Sequence, residues 1–208
     1  MKRPLHTINL IVFYGALWGV LEATLGYALQ FTPPFFSGMI MFPIASALLM
    51  ALYLQTGSRR AMFAAGLLAA AIKSVNLLMP LMAWRTLTPM IAIVLESLML
   101  ASLVALIVNK PVRSQITGFV VASLSWRALF LGVMALRYAM SGFLFADLAN
   151  MQTILSFVVY QGLAGAGIAF LAYRVVHWVM MDKGLRLRPF PAVSASLLGI
   201  AVVLTIFL

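Results

Sequence analysis

The chain has 208 residues, 64% of them apolar and 9% charged, with a mean hydropathy of +1.10, whereas soluble domains run near about 45–50% apolar and 25% charged. A formal net charge of +10 would suit nucleic acid on a soluble protein, but these basic residues have no polar face to occupy, so no nucleic-acid partner is expected. The absence of Cys excludes disulfides, thiolate metal sites, iron–sulfur clusters and cysteine nucleophiles. His6 and His177 lie beside charged residues near proposed helix ends and offer no buried imidazole pair. No metal and no cofactor are therefore expected.

A membrane-spanning helix needs about 20 mostly apolar residues, and the polar breaks divide the chain into seven such stretches. The first runs from about Ile8 to Gln30 and stops at Thr32-Pro33-Pro34. Gly38 to Gly57 follows, stopping at Ser58-Arg59-Arg60, and then Ala61 to Pro80. Pro89 to Val108, Ile116 to Met140 and Thr153 to Val176 are the fourth to sixth. A polar stretch from His177 to Pro191 reads as a cytoplasmic linker before the last and shortest stretch, Ala192 to Leu208. The expected fold is an all-α, polytopic membrane bundle forming one domain, with no tandem repeat. The N-terminal run is too long, contains Glu22 and lacks a small-residue cleavage site, so it reads as a retained helix and not a signal peptide.

Basic residues near helix ends orient such a bundle, because cytoplasmic loops carry the Lys/Arg excess. Lys2, Arg3, Arg59, Arg60, Lys110, Arg113, Arg174, Lys183, Arg186 and Arg188 all fall on one side. The other side has Arg85 and Arg137. This puts the N-terminus inside and, with seven spans, the C-terminus outside, in a prokaryotic cytoplasmic membrane. The segment Arg174 to Arg188 can also attract anionic lipid headgroups.

Four charges break that pattern. Glu22, Lys73, Glu96 and Arg127 lie inside proposed spans, where a charge costs about 2.5 to 3.5 kcal/mol and needs a partner or water. Counting from the helix ends at 1.5 Å per residue places Glu22, Lys73 and Arg127 roughly 16 to 21 Å from the cytoplasmic side and Glu96 roughly 10 Å below the outer end. Gln161 falls near the same level, and Asn76 and Arg137 lie higher. Helical phase puts Gly15, Gly19, Glu22 and Gly26 on one face, Gly66, Ala69, Ala70 and Lys73 on another, and Gln161, Ala164, Gly165 and Ile168 on a third. Small residues allow close backbone approach, so these faces are expected to point into the bundle. Gly15 and Gly19 also match the GxxxG pattern, read first as internal packing.

Two readings of the charged layer stay open: paired structural ions that fix helix register, or an outward-opening pocket for a small polar molecule. Under the second, Trp84 and Arg85 sit in a short outer loop as a candidate lid, and Phe31 to Gly38 (FTPPFFSG) caps the same opening. Arg137, near an outer helix end, is expected to snorkel to the surface. No Ser-His dyad, intramembrane Asp pair or HExxH motif suggests hydrolysis, so no catalytic constellation is recognised. A small proton-coupled transporter is a further alternative.

The segments GVLEATLGYALQFTPPFFSGMIMFPIASALL, AGLLAAAIKSVNLLMP and TPMIAIVLESLML resemble the substrate-binding S components of energy-coupling factor transporters, over roughly Leu10 to Val108. That resemblance implies a receptor-like subunit. It would bind a vitamin, precursor or related micronutrient in an outer pocket and associate with a scaffold membrane subunit and a pair of ATPases. Glu22, Lys73, Asn76, Trp84, Glu96, Arg127 and Gln161 are the candidate substrate-binding residues, and Gly15, Gly19 and Gly26 the candidate helix-packing residues. The chain departs from the family in having a seventh helix. Glu22 also lies on the glycine face of the first helix, the face that in the family meets the scaffold.

Overall fold

The computed structural model describes residues 4–29, 31, 37–78, 83–142 and 144–207. Among them the chain is helical, with no strand. Seven helices account for it: α1 Pro4–Leu29, α2 Ser37–Thr56, α3 Arg59–Ser74, α4 Ala83–Ile107, α5 Val112–Ser141, α6 Met151–Asp182 and α7 Pro191–Phe207. Six of these are long and apolar enough to cross a bilayer, the third when counted with the 3-10 turn Val75–Leu78 that extends it. The protein is thus an integral-membrane helical bundle, with α7 as a shorter apolar helix of 17 residues.

Local chemistry sets the turns between these helices. Gly57 has φ +69°, and Ser58 Oγ accepts from Ala61 N–H at 3.2 Å, so α2 reverses into α3 within two residues. Gly142, also at φ +69°, ends α5, its N–H bonding back to Tyr138 C=O. Asn150 and Thr153 form a reciprocal capping box that starts α6. Asn9 Nδ2 donates to Pro189 C=O at 2.6 Å and ties the segment before α7 to the start of α1.

Helices α1 to α6 close into a ring. Following contacts around it, α1 packs on α3, α3 on α4, α4 on α5, α5 on α6, α6 on α2 and α2 on α1. The main core holds Trp18, Phe42, Met62, Phe119, Trp126 and Tyr173. The last helix lies outside the ring along α1 and the edge of α3, joined through a small cluster of Ala16, Ile72 and Ala201.

Several boundaries differ from the sequence expectation, each for a local reason. Helix α4 begins at Ala83 and carries Pro89 within it, so the bond that residue 89 would donate to Arg85 C=O is missing from its second turn while the helix runs on. Trp84 and Arg85 therefore sit on helical backbone and not in a loop, and their side chains lie outside the described residues, as do those of 32–36 in the proposed cap. Helix α6 continues through the expected linker to Asp182, leaving only residues 183–190 non-helical. It contains two π turns, Ser156–Tyr160 and Trp178–Asp182.

The inner face of α6 also differs in phase. Gln161, Gly162, Gly165, Ala166, Ala169 and Tyr173 are buried, while Ala164 and Ile168 are exposed. The expected 161/164/165/168 face took the spacing of three from Gln161 where the ring contacts follow a spacing of four. Arg137 is 8% exposed, so its side chain is buried against the protein.

A candidate binding site of intramembrane charges

Glu22, Lys73, Glu96 and Arg127 come from four different helices of the ring, and all are buried, Arg127 completely. The glycine contacts fix how the helices slide past one another. A Cβ on Gly15 would lie 2.9 Å from Ala65 C=O and one on Gly19 2.8 Å from Ile72 Cδ1, so α1 and α3 run in parallel register. Gly66 is pressed against Ser97 of α4, where a Cβ would overlap Cβ and Oγ. Gly118 meets Ile107 at the other end of the α4–α5 pair.

Extending these registers at 1.5 Å per residue resolves the single layer expected from helix ends into two tiers separated by roughly one to two helical turns. Glu22 and Lys73 form the upper tier. Glu96, beside Ser97, and Arg127 form the lower one. Side chains on a helix lean toward its N-terminus, so Glu22 on α1 and Glu96 on the antiparallel α4 lean toward each other. The electrostatic neighbours follow the same path: Lys73 with Glu22, Glu22 with Glu96, and Glu96 with Arg127. Four charges thus cross the inside of the ring in the order +, −, −, +.

The two tiers differ in how they are held. Glu22 Oε1 accepts from Trp18 Nε1–H at 3.3 Å, one turn back along α1. Arg127 is enclosed more tightly. Its Nη1 donates to Ser123 Oγ at 2.7 Å, and Ser123 in turn donates to Gly162 C=O at 2.8 Å. Nη2 donates to Gly38 C=O at 2.9 Å. The guanidinium lies 4.4 Å from the ring centre of Trp126, 5.7 Å from Phe157 and 5.9 Å from Phe42, an aromatic box that suits a weakly hydrated planar cation. Among the described residues its hydrogen bonds go to neutral oxygens, which leaves its charge balanced by the field of Glu96 and not by a direct carboxylate bond.

Two features of sequence make that box possible. Gly162 and Gly165 present no side chain on the α6 wall, and a Cβ at Gly165 would lie 3.4 Å from Arg127 Nη2. Pro43 lacks the N–H that would bond Met39 C=O, so the first turn of α2 opens a carbonyl beside the same wall. Gln161, next to Gly162, is buried with neither amide atom hydrogen-bonded, and Asn76 is half-buried with Oδ1 unpartnered.

The structure makes Lys73, Glu22, Glu96 and Arg127 electrostatic neighbours in that order, and buries Gln161 on α6 beside Gly162, which meets Arg127. Asn76 lies on the 3-10 turn just past Lys73, and Trp84 falls outside the described side chains. Gly15 and Gly19 pack the α1–α3 seam, while a Cβ on Gly26 would meet only Glu22 and backbone of its own helix. Sequence reasoning did not place Ser123, Phe42, Trp126 or Phe157 at the site. The signal for Ser123 was available, since Ser123 and Arg127 are four residues apart on one helix face. Phe42 and Phe157 had no such signal, because their contacts cross between helices. Comparison with known protein families, with curated proteins and with solved structures gives no match.

Proposed function

We propose that this protein is a membrane-embedded binding subunit that captures a small polar nutrient for uptake. The observation that carries this reading is the convergence of four buried ionisable side chains from four helices on one path across the ring, with Arg127 bonded to neutral oxygens. Intramembrane charges are expensive and concentrate where substrates or ions bind. A purely structural network would more economically close each pair with direct carboxylate bonds.

In this reading the basic end of the bundle, with Arg59, Arg60, Lys110, Arg113 and Arg174 exposed, faces the cytoplasm. The site then opens toward the outer surface and the N-terminus lies inside. Resemblance to S components adds a separate scaffold membrane subunit and ATPases as the source of energy. With α1 flanked by α3 and α7, a scaffold would dock on another helix of the ring.

Mass spectrometry of small molecules co-purifying with the protein tests the reading, together with ligand binding by Glu96→Gln. Expected is a bound nutrient in the wild type that is lost in a folded Glu96→Gln variant. Lipid alone in the wild type, with no thermal shift across a vitamin panel, would overturn it and leave the ion network as a structural device. Flux of solute driven by a pH gradient through the purified chain alone would favour a proton-coupled transporter.

A further inference from the structure

Around Arg127 the hydrogen bonds do not close. Ser123 and Gly38 satisfy Nη1 and Nη2, but Nε–H is buried without a partner. The indole N–H of Trp126, whose ring lies against the guanidinium, is likewise buried and unpaired. Gln161 is 6% exposed, and both its amide nitrogen and its amide oxygen lack partners. Its neighbour Gly162 abuts the same side chain, where a Cβ would lie 3.7 Å from Arg127 Cδ. Buried polar groups are nearly always paired, and unpaired ones call for an explanation.

Three unpaired N–H donors thus come from consecutive residues of α5 and from the α6 residue beside Gly162, which itself meets the Arg127 side chain, with a positive charge among them. That combination asks for acceptor oxygens bearing negative charge, and a carboxylate matches a guanidinium edge in shape. The backbone supplies an independent indication. The π turn Ser156–Tyr160 places Phe157 over Arg127 and leads directly into Gln161, and π turns occur often at functional sites.

The charge sequence across the ring completes the description of the ligand. In formal charge the two glutamates and two bases sum to zero, so a bare anion at Arg127 would leave the site with a formal excess of negative charge next to Glu96, already an electrostatic neighbour of Glu22. A ligand that also carries an ammonium group offsets that repulsion. We infer that the site takes a compact zwitterion of the amino-acid class. Its carboxylate accepts from Arg127 Nε–H, Trp126 Nε1–H and Gln161 Nε2–H, and its ammonium group faces Glu22 and Glu96. The inference rests on the nutrient-binding reading and names its substrate class.

The test is a thermal-shift and calorimetric screen of the purified full-length protein. Its probes are the twenty protein amino acids, β-alanine and γ-aminobutyrate, each with its carboxamide, and acetate and propionate as anions without an ammonium group. At least one amino acid is expected to stabilise the protein saturably, with its carboxamide and the simple anions weaker by roughly tenfold or more, the scale of a lost hydrogen bond to a charged group. Gln161→Leu removes two unpaired buried polar atoms. It is expected to keep or raise the melting temperature of the unliganded protein while losing about tenfold or more in affinity. Equal binding of the carboxamide or of acetate, unchanged affinity in Gln161→Leu, or no response to any amino acid overturns the zwitterion assignment. If no amino acid binds but another nutrient co-purifies, the assignment fails and the receptor reading stands. If an amino acid binds as described but cells expressing the protein with their native transport machinery take up none, the receptor reading fails and the site assignment stands.

Discussion

The seam where α1, α3 and α4 meet and the box around Arg127 are both buried parts of one ring, yet they are built from opposite materials. At the seam, glycines remove side chains so that backbones approach: Gly15 on Ala65, Gly19 on Ile72 and Gly66 on Ser97. At the box, large aromatic rings surround a cation, with Gly162 and Gly165 on the α6 wall and Gly38 of α2 against it. Lipid tails are as apolar as leucine, so apolar contacts alone do not hold membrane helices together, and close packing and polar contacts must do so. The seam uses the first and the box the second. The box leaves buried polar atoms without partners at Trp126 Nε1, Arg127 Nε and the Gln161 amide, as Asn76, Gln115 and Tyr173 do elsewhere among the described residues.

The largest predicted effect breaks the box. Arg127→Met leaves Glu96 without its cationic neighbour and Gly38 C=O and Ser123 Oγ without a donor. Removing one member of a buried charged network costs about 3 to 5 kcal/mol, read as a lower midpoint in denaturant unfolding from mixed micelles. The double variant Arg127→Met/Glu96→Gln is expected to recover part of that loss, because the stranded carboxylate is gone. A double variant as unstable as the sum of the two singles would show that the two residues do not communicate.

Next comes the seam. Gly66→Ala forces a Cβ onto Ser97, whose own Oγ is held by Val94 C=O at 2.9 Å. Overpacking of this kind costs about 1 to 3 kcal/mol. Gly19→Ala meets Ile72 Cδ1, the movable end of a side chain, and is expected to cost less than Gly66→Ala in the same unfolding assay. The reverse order would mean that α1, and not α4, sets the tight contact of α3.

How much of this contrast could be read in the sequence follows from the range of each interaction. The spans were legible because each stands alone as a run of apolar residues between polar breaks. Glu22, Lys73, Glu96 and Arg127 were legible for the converse reason, a charge being conspicuous in such a run. The seam was half-legible: Gly15 and Gly19 share a face, but their partners Ala65 and Ile72 depend on the sliding of α1 along α3. The box was the least legible, because Phe42, Trp126 and Phe157 look like any other apolar residues until three helices bring them around one guanidinium. The phase error on α6 has the same origin. A spacing of three and one of four are nearly equivalent on an isolated helix, and the contacts with α2 and α5 decide between them.

The smallest prediction sharpens the comparison by asking what glycine does where neither material is present. Gly132 lies in the middle of α5, and a Cβ there would meet nothing within 4 Å. Alanine is favoured over glycine inside a helix by roughly 1 kcal/mol in water. Gly132→Ala is therefore expected to leave stability unchanged or to raise it by up to about 1 kcal/mol, with no effect on ligand binding. Set beside Gly66→Ala in one unfolding assay, it separates contact from conformational freedom. If both substitutions destabilise equally, the glycines of this bundle serve the backbone itself and the seam is not a packing joint. If Gly66→Ala alone destabilises, the close approach of α3 to α4 is what fixes Ser97, and with it the height of Glu96 in the ring.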